Sequence, residues 1–320
     1  MQPLPESDPS DRPTTGLPSA GWSVAEIADT PKSPGAGEDR LVVREDRHGD
    51  LALLAVIDGA TDKGSGRLYG DRIGGALAAD SVADTLRSIP LTATSVDMVA
   101  AVTRDLAQMR RIWAIGADDL LAPSTVAAIL LPRQGVLVRV GDVHLALRRA
   151  GQWQHFPAHK RIDTVAADFR AAYLAALLES GVPLEELAET DPGRAAVLPL
   201  LVQQGIFANH PDHPLAFGVL NGRAVPPQHI ETIHVGDDVE EIVVASDGYL
   251  GPDPTLDLAE SRLCASLLDD PLRIGEHRAT KGVRPGAAGF DDRTYARLTR
   301  SARPTLDRDA AAAAPAQVSA

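Results

Sequence analysis

Cysteine is almost absent from this chain. Cys264 is the only one among 320 residues, so no internal disulfide can form and a reducing cytoplasm is the expected compartment. Long apolar runs are missing as well. No stretch approaches the roughly 20 residues that a membrane-spanning helix needs, so no membrane association is expected. Residues 1–8 carry neither a basic nor an apolar region, which argues against a secretory signal. Net positive charge is lacking: the formal balance is −13, which speaks against nucleic-acid recognition through a general basic field. A helix-opening glycine-rich loop with Lys-Ser/Thr is absent, which counts against a P-loop nucleotide hydrolase.

What is present is a globular composition, 44% hydrophobic, long enough to bury a substantial core. Residues 1–20 are rich in Pro, Ser and Asp, and 301–320 in Ala and Pro. Both are expected to be disordered, leaving 21–300 as the folded domain. Residues 22–27, 40–44, 51–59, 124–131, 135–140, 144–148, 229–235, 241–246 and 293–298 read as strands. Helical spacing covers 69–86, 96–113, 163–180, 194–208 (interrupted near Gly205) and 257–268, and a short helix is expected from Pro271. Short turns between neighbouring strands imply antiparallel pairing. The layer solution is an α+β fold, with sheet packed on sheet and helices outside.

The apolar run 51–57 ends abruptly on Asp58-Gly59. An Asp at the end of a buried strand is costly unless something pairs with it. The pattern recurs at Asp247-Gly248, and Asp291-Asp292 leads into the last strand. A lone Asp-Gly is a turn signal; the force lies in the ordered set. Clustered carboxylates on rigid strand ends suit a hard cation such as Mg²⁺ or Mn²⁺. Two such ions about 3.5–4 Å apart can share a water and make it a nucleophile near neutral pH, a chemistry suited to phosphorus esters.

In order along the chain, Glu38-Asp39, Val56-Ile57-Asp58-Gly59, Ser124-Thr125, Gly141-Asp142, Ala245-Ser246-Asp247-Gly248 and Asp291-Asp292-Arg293-Thr294 resemble the boxes of the metal-dependent protein phosphatases (PPM, type 2C). The resemblance spans about residues 20–300. It implies a four-layer α-β-β-α sandwich of two antiparallel sheets flanked by helices, and two Mn²⁺ or Mg²⁺ ions at one end of the sheets. Asp58, Asp247 and Asp291 resemble the ligands of the first ion and the catalytic set. Glu38, Asp58 and the Gly59 carbonyl resemble those of the second. Asp142 matches an acid that serves a third, weaker site in some members. Asp39 sits where it would hold a water, and Asp292 where it would support the loop. The implied reaction is hydrolysis of phosphoserine and phosphothreonine in a phosphoprotein, by direct attack of a hydroxide bridging the metals. The alternatives are a catalytically weak binding or regulatory relative and a small-molecule phosphomonoesterase.

The departures concern phosphate binding. The family's phosphate-gripping Arg falls at Pro34, with Lys32 the nearest cation. Ala60-Thr61-Asp62 replaces the His-containing segment of animal members, so that candidate general acid is missing. Lys63, Arg67 and Arg40 are the candidate replacements for the Arg, and His144 stands where related boxes carry Arg. Elsewhere, His210 and His213 sit among prolines and read as a stiff surface loop rather than a zinc pair. Cys264 reads as a core residue, and Lys160-Arg161 as a solvated pair in preference to a pair facing substrate.

Overall fold

The computed structural model describes residues 21–33, 37–64, 66–158, 160–284, 287 and 289–301. The expected tails and Pro34 lie outside them. In chain order the elements are strands β1 (Trp22–Thr30), β2 (Arg40–Glu45) and β3 (Leu51–Gly59), then the small hairpin β4 (Leu68–Tyr69) and β5 (Arg72–Ile73). Helices α1 (Gly74–Ser88) and α2 (Ser95–Ile112) follow, then β6 (Thr125–Leu131), β7 (Val136–Val140), β8 (His144–Arg149) and β9 (Gln152–Phe156). Next come α3 (Arg161–Glu179), α4 (Leu184–Thr190) and α5 (Pro192–Gln203). The chain closes with β10 (Glu231–His234), β11 (Val239–Ala245), α6 (Leu256–Asp269) and β12 (Arg293–Arg300).

One sheet runs β1-β12-β11-β8-β9 and the other β10-β7-β6-β3-β2, with every pairing antiparallel. The two-residue period of a strand explains the layering. Leu54 and Val56 of β3 point between the sheets, where they meet Leu130, Leu145, Val244 and Leu298. Leu53, Ala55 and Ile57 point the other way, against Ala78 and Val82 of α1 and Met98 of α2. Both faces of β3 are covered, so it reads as one continuous apolar run. Leu54 and Val56 are fully buried, each contributing about 1.5–3 kcal/mol by leaving water. Behind the other sheet, Val243 and Tyr295 pack on Ala259 and Leu263 of α6. The result is the α-β-β-α sandwich.

The helix starts have local causes. Thr94 and Asp97 form a capping box at α2, and Thr255 caps α6 through the Leu258 amide. The helix expected from residue 69 begins only at Gly74, because Gly70 turns the chain at φ 68° and closes the β4–β5 hairpin. Residues 227–229 form a 3₁₀ turn, so the strand expected from 229 is shortened to β10. No helix follows Pro271 among the described residues. There the Leu272 and Ala279 carbonyls accept hydrogen bonds from Arg170 instead. Cys264 is exposed, which corrects the core expectation: the buried stripe of α6 runs through Ala259 and Leu263. Among the described residues no helix is long and apolar enough to cross a membrane.

Candidate functional site

The strand-end acids converge. Asp58 closes β3 opposite Val126 of β6, and its carbonyl accepts from the Thr125 hydroxyl. The Asp247 amide lies 3.4 Å from Asp58 Oδ2. Ser246 ties β11 to β12: its amide donates to the Thr294 carbonyl (2.9 Å) and its hydroxyl accepts from the Thr294 amide (2.8 Å). This link holds Asp247 beside Asp291. Gly248 is required because a Cβ there would stand 1.9 Å from the Asp292 carbonyl oxygen. Asp142 reaches the same cavity through Gly141, whose φ is 95° and whose Cβ would collide with Val126. Asp58, Gly59, Asp142, Asp247 and Asp291 line this cavity.

Glu38 lies just behind that floor and is 1% exposed. Its amide donates to Asp292 Oδ2 (2.9 Å), and Asp292 Oδ1 accepts from the Lys32 amide (2.7 Å). Asp292 therefore braces the loop, as its place in the sequence suggested. Gly59 and Gly75 let three backbone segments close around Glu38: a Cβ on Gly59 would fall 2.6 Å from the Glu38 carbonyl oxygen, and one on Gly75 2.4 Å from Glu38 Oε1. The N-terminus of α1 thus faces this carboxylate, a favourable dipole alignment.

The electrostatics divide the cluster in two. On one side Lys32 Nζ donates to Glu38 Oε2 at 2.6 Å and lies 3.2 Å from Asp291 Oδ1 and 3.1 Å from Asp292 Oδ2. Lys281 Nζ meets Asp291 Oδ2 at 2.5 Å. Burial opposes the charge on Asp291, but the two lysines outweigh it and hold its pKa below the usual carboxylate value. On the other side no lysine bonds Asp58 or Asp247 among the described residues. Burial, then the neighbouring carboxylates, drives Asp58 and Asp247 upward, and burial likewise raises Asp39. Two buried oxygens, Glu38 Oε1 and Asp39 Oδ2, have no hydrogen-bond partner.

These are hard oxygen donors with excess negative charge, and on the Asp58–Asp247 side they fit a divalent cation. As placed, however, no three His, Cys, Asp or Glu side chains among the described residues form a ready-made metal cage. Glu38, Asp291 and Asp292 are instead engaged by the ammonium groups of Lys32 and Lys281.

Cations line the same cavity: Lys63, Lys160, Arg194 and Lys281. Of the three cations weighed for phosphate, Arg40 is committed to Asp80 and to the Gly37 and Asp39 carbonyls, and Arg67 to Asp119. Lys63 remains. Burial, then the charges of Lys160 and Arg194, lowers its pKa to about 8. Lys160 lines the cavity and pairs with Asp163 at 2.7 Å, which favours the less preferred of its two sequence readings. Arg194 and Lys281 escaped sequence reasoning, since neither lies in a box or on a periodic face. His144 bonds the Tyr249 carbonyl at 3.2 Å. His213 stacks on Phe207 in its loop.

No protein-family model matches this chain, and no curated protein matches it. Among solved structures it is similar in fold to serine/threonine phosphatases of the PPM type. One is PstP of Mycobacterium tuberculosis, at 18% identity over 88% of this chain and 100% of that one, with TM-score 0.46. Another is the serine/threonine phosphatase of Staphylococcus aureus, at 14% over 89% and 97%, with TM-score 0.46. A third is the PstP catalytic domain in complex with two manganese ions, at 17% over 88% and 99%, with TM-score 0.45.

Proposed function

We propose that this chain is a metal-dependent hydrolase of phosphomonoesters, acting on phosphoserine and phosphothreonine of cytoplasmic proteins. The observation that carries the reading is one cavity lined both by the carboxylates of Asp58, Asp142, Asp247 and Asp291 and by the cations Lys63, Lys160 and Arg194. Carboxylates that take a cation and side-chain cations that take an anion suit a phosphoryl group held in that cavity. Asp58 and Asp247, with Asp142, would hold a divalent cation; Glu38, Asp291 and the Gly59 carbonyl complete the set that the boxes imply. Such a cation, when bound, supplies a nucleophilic water near neutral pH and positive charge for the phosphoryl oxygens.

The chain's own cations do the positioning. Arg194 Nη1 is fixed by the Thr280 carbonyl and hydroxyl, each at 3.1 Å, which leaves the rest of its guanidinium for the phosphoryl oxygens. Lys63 takes the role left open by Pro34. Hydrolysis is a single displacement by water, with no phospho-enzyme.

The test is turnover of p-nitrophenyl phosphate and phosphopeptides with Mn²⁺, Mg²⁺ or EDTA. Turnover that needs metal and stops with EDTA is expected. Folded, Mn²⁺-loaded protein that hydrolyses no phosphoester would reject the proposal.

Lys63 gives a sharper expectation. A charge-assisted hydrogen bond is worth about 1.5–3 kcal/mol, so Lys63→Gln should raise KM about 10- to 100-fold. With its pKa near 8, the wild-type lysine is charged at pH 7 and loses its proton as pH rises. Wild-type KM should therefore climb between pH 7 and 9, while the variant's stays high and flat. Equal KM values across that range would remove Lys63 from phosphate binding.

A further inference from the structure

We propose that the Lys32 ammonium permanently occupies one of the two cation positions of the carboxylate cluster, so that the chain binds a single divalent ion, on the Asp58–Asp247 side. The inference rests on the reading of that cluster as a metal site and narrows it.

Lys32 is held like a bound ion. An ammonium has three donors and no acceptor, and here three carboxylates surround it: Glu38, Asp291 and Asp292, at 2.6, 3.2 and 3.1 Å. The Thr61 hydroxyl lies 3.5 Å away. The stem is pinned as well, because the Lys32 amide donates to Asp292 Oδ1 at 2.7 Å. The same carboxylate thus grips the residue at both backbone and head group. Lys281 adds a second positive charge on Asp291. A dication entering beside Glu38 would have to evict a tethered charge that its own ligands already neutralise. A tethered cation has a further advantage over a free one, since its local concentration does not fall on dilution.

The other half of the cluster has the opposite character. Asp39 is 2% exposed and its Oδ2 has no partner. It lies in the field of Asp247 and Asp291, and Asp58 and Asp247 reach the cavity with no lysine bonded to either among the described residues. Glu38 Oε1 also lacks a partner, but the carboxylates of its half share the Lys32 ammonium, whereas Asp58 and Asp247 share none among the described residues.

The test is Mn²⁺ stoichiometry of the full chain, by equilibrium dialysis with elemental analysis and by Mn²⁺ electron paramagnetic resonance. Wild type should bind one equivalent, and Lys32→Met, which keeps the stem and removes the charge, should bind two. Asp247→Asn should weaken the single wild-type site by about 100-fold, the loss typical of damage around a metal. Two equivalents on wild type, or none, would each overturn the proposal, and these readings stand even if Lys32→Met fails to fold. One equivalent on both wild type and folded Lys32→Met overturns it too. Absence of turnover in protein carrying one Mn²⁺ would instead strike the hydrolase reading and leave the stoichiometry intact.

Discussion

Asp58→Asn will eliminate metal-dependent turnover while making the metal-free protein more stable. The loss of activity follows from position. Asp58 ends the central strand with Asp247 against it, and a cation held there is worth several kcal/mol to a phosphoryl transition state. A drop in kcat of about a thousandfold or more is expected. The gain in stability follows from charge. Burial, then Asp247 and Asp39, raises the Asp58 pKa in the folded state. For an acid, a folded value above the unfolded one means that ionisation disfavours folding at any pH above the unfolded value. A neutral amide of the same shape removes that penalty at pH 7. Thermal unfolding in EDTA should show a higher Tm for the variant, and added Mn²⁺ should reverse the order by stabilising only the wild type. An Asp58→Asn enzyme with undiminished turnover would end the proposed mechanism. A lower Tm without metal would show that the cluster is not under electrostatic load.

The second large effect lies outside the cavity. Arg170 on α3 is fully buried. Its Nε and Nη2 engage Asp191, at 2.9–3.2 Å, and its Nη1 donates to the carbonyls of Leu272 (2.8 Å) and Ala279 (3.1 Å). Asp191 in turn caps α5 through the Arg194 amide (2.8 Å) and accepts from the Gly282 amide (3.3 Å). One guanidinium therefore fastens α3, the start of α5 and the 270–282 loop together, and two cavity cations, Arg194 and Lys281, hang from that knot. Arg170→Met preserves volume and strands a partly buried carboxylate and two carbonyls. The expected cost is about 3–5 kcal/mol. For a chain of this size that corresponds to a fall in Tm on the order of 10 °C. KM should rise as well, because those two cations lose their anchor. Asp191→Asn, which keeps the cap and loses only the charge, should cost less. Unchanged melting of Arg170→Met would mean that the knot is incidental.

What the sequence reveals follows the range of the forces involved. The strands of both sheets are legible because alternation is local, and β3 because an unbroken apolar run has few other uses. The carboxylate floor is legible for the same reason, since each acid sits on a strand end with its own glycine or turn. The cavity cations are not. Lys281 reaches Asp291 and Thr61 only because Arg170, more than a hundred positions earlier, pins the 270–282 loop, and no periodicity encodes a link of that length. β9, Gln152–Phe156, hides because it is a polar edge strand with only partial burial. α4 hides because seven residues make fewer than two helical turns, too short a span for a periodic pattern to stand out. Cys264 misled because it adjoins the buried stripe of α6 without lying on it.

Two of the cavity cations come from a different part of the chain than the acids. Strand ends supply every floor acid, whereas Lys160 and Arg194 belong to the helical excursion between β9 and β10. On the proposed reading, replacing that excursion should change which phosphate-bearing partner the cavity accepts while leaving the carboxylate floor in place.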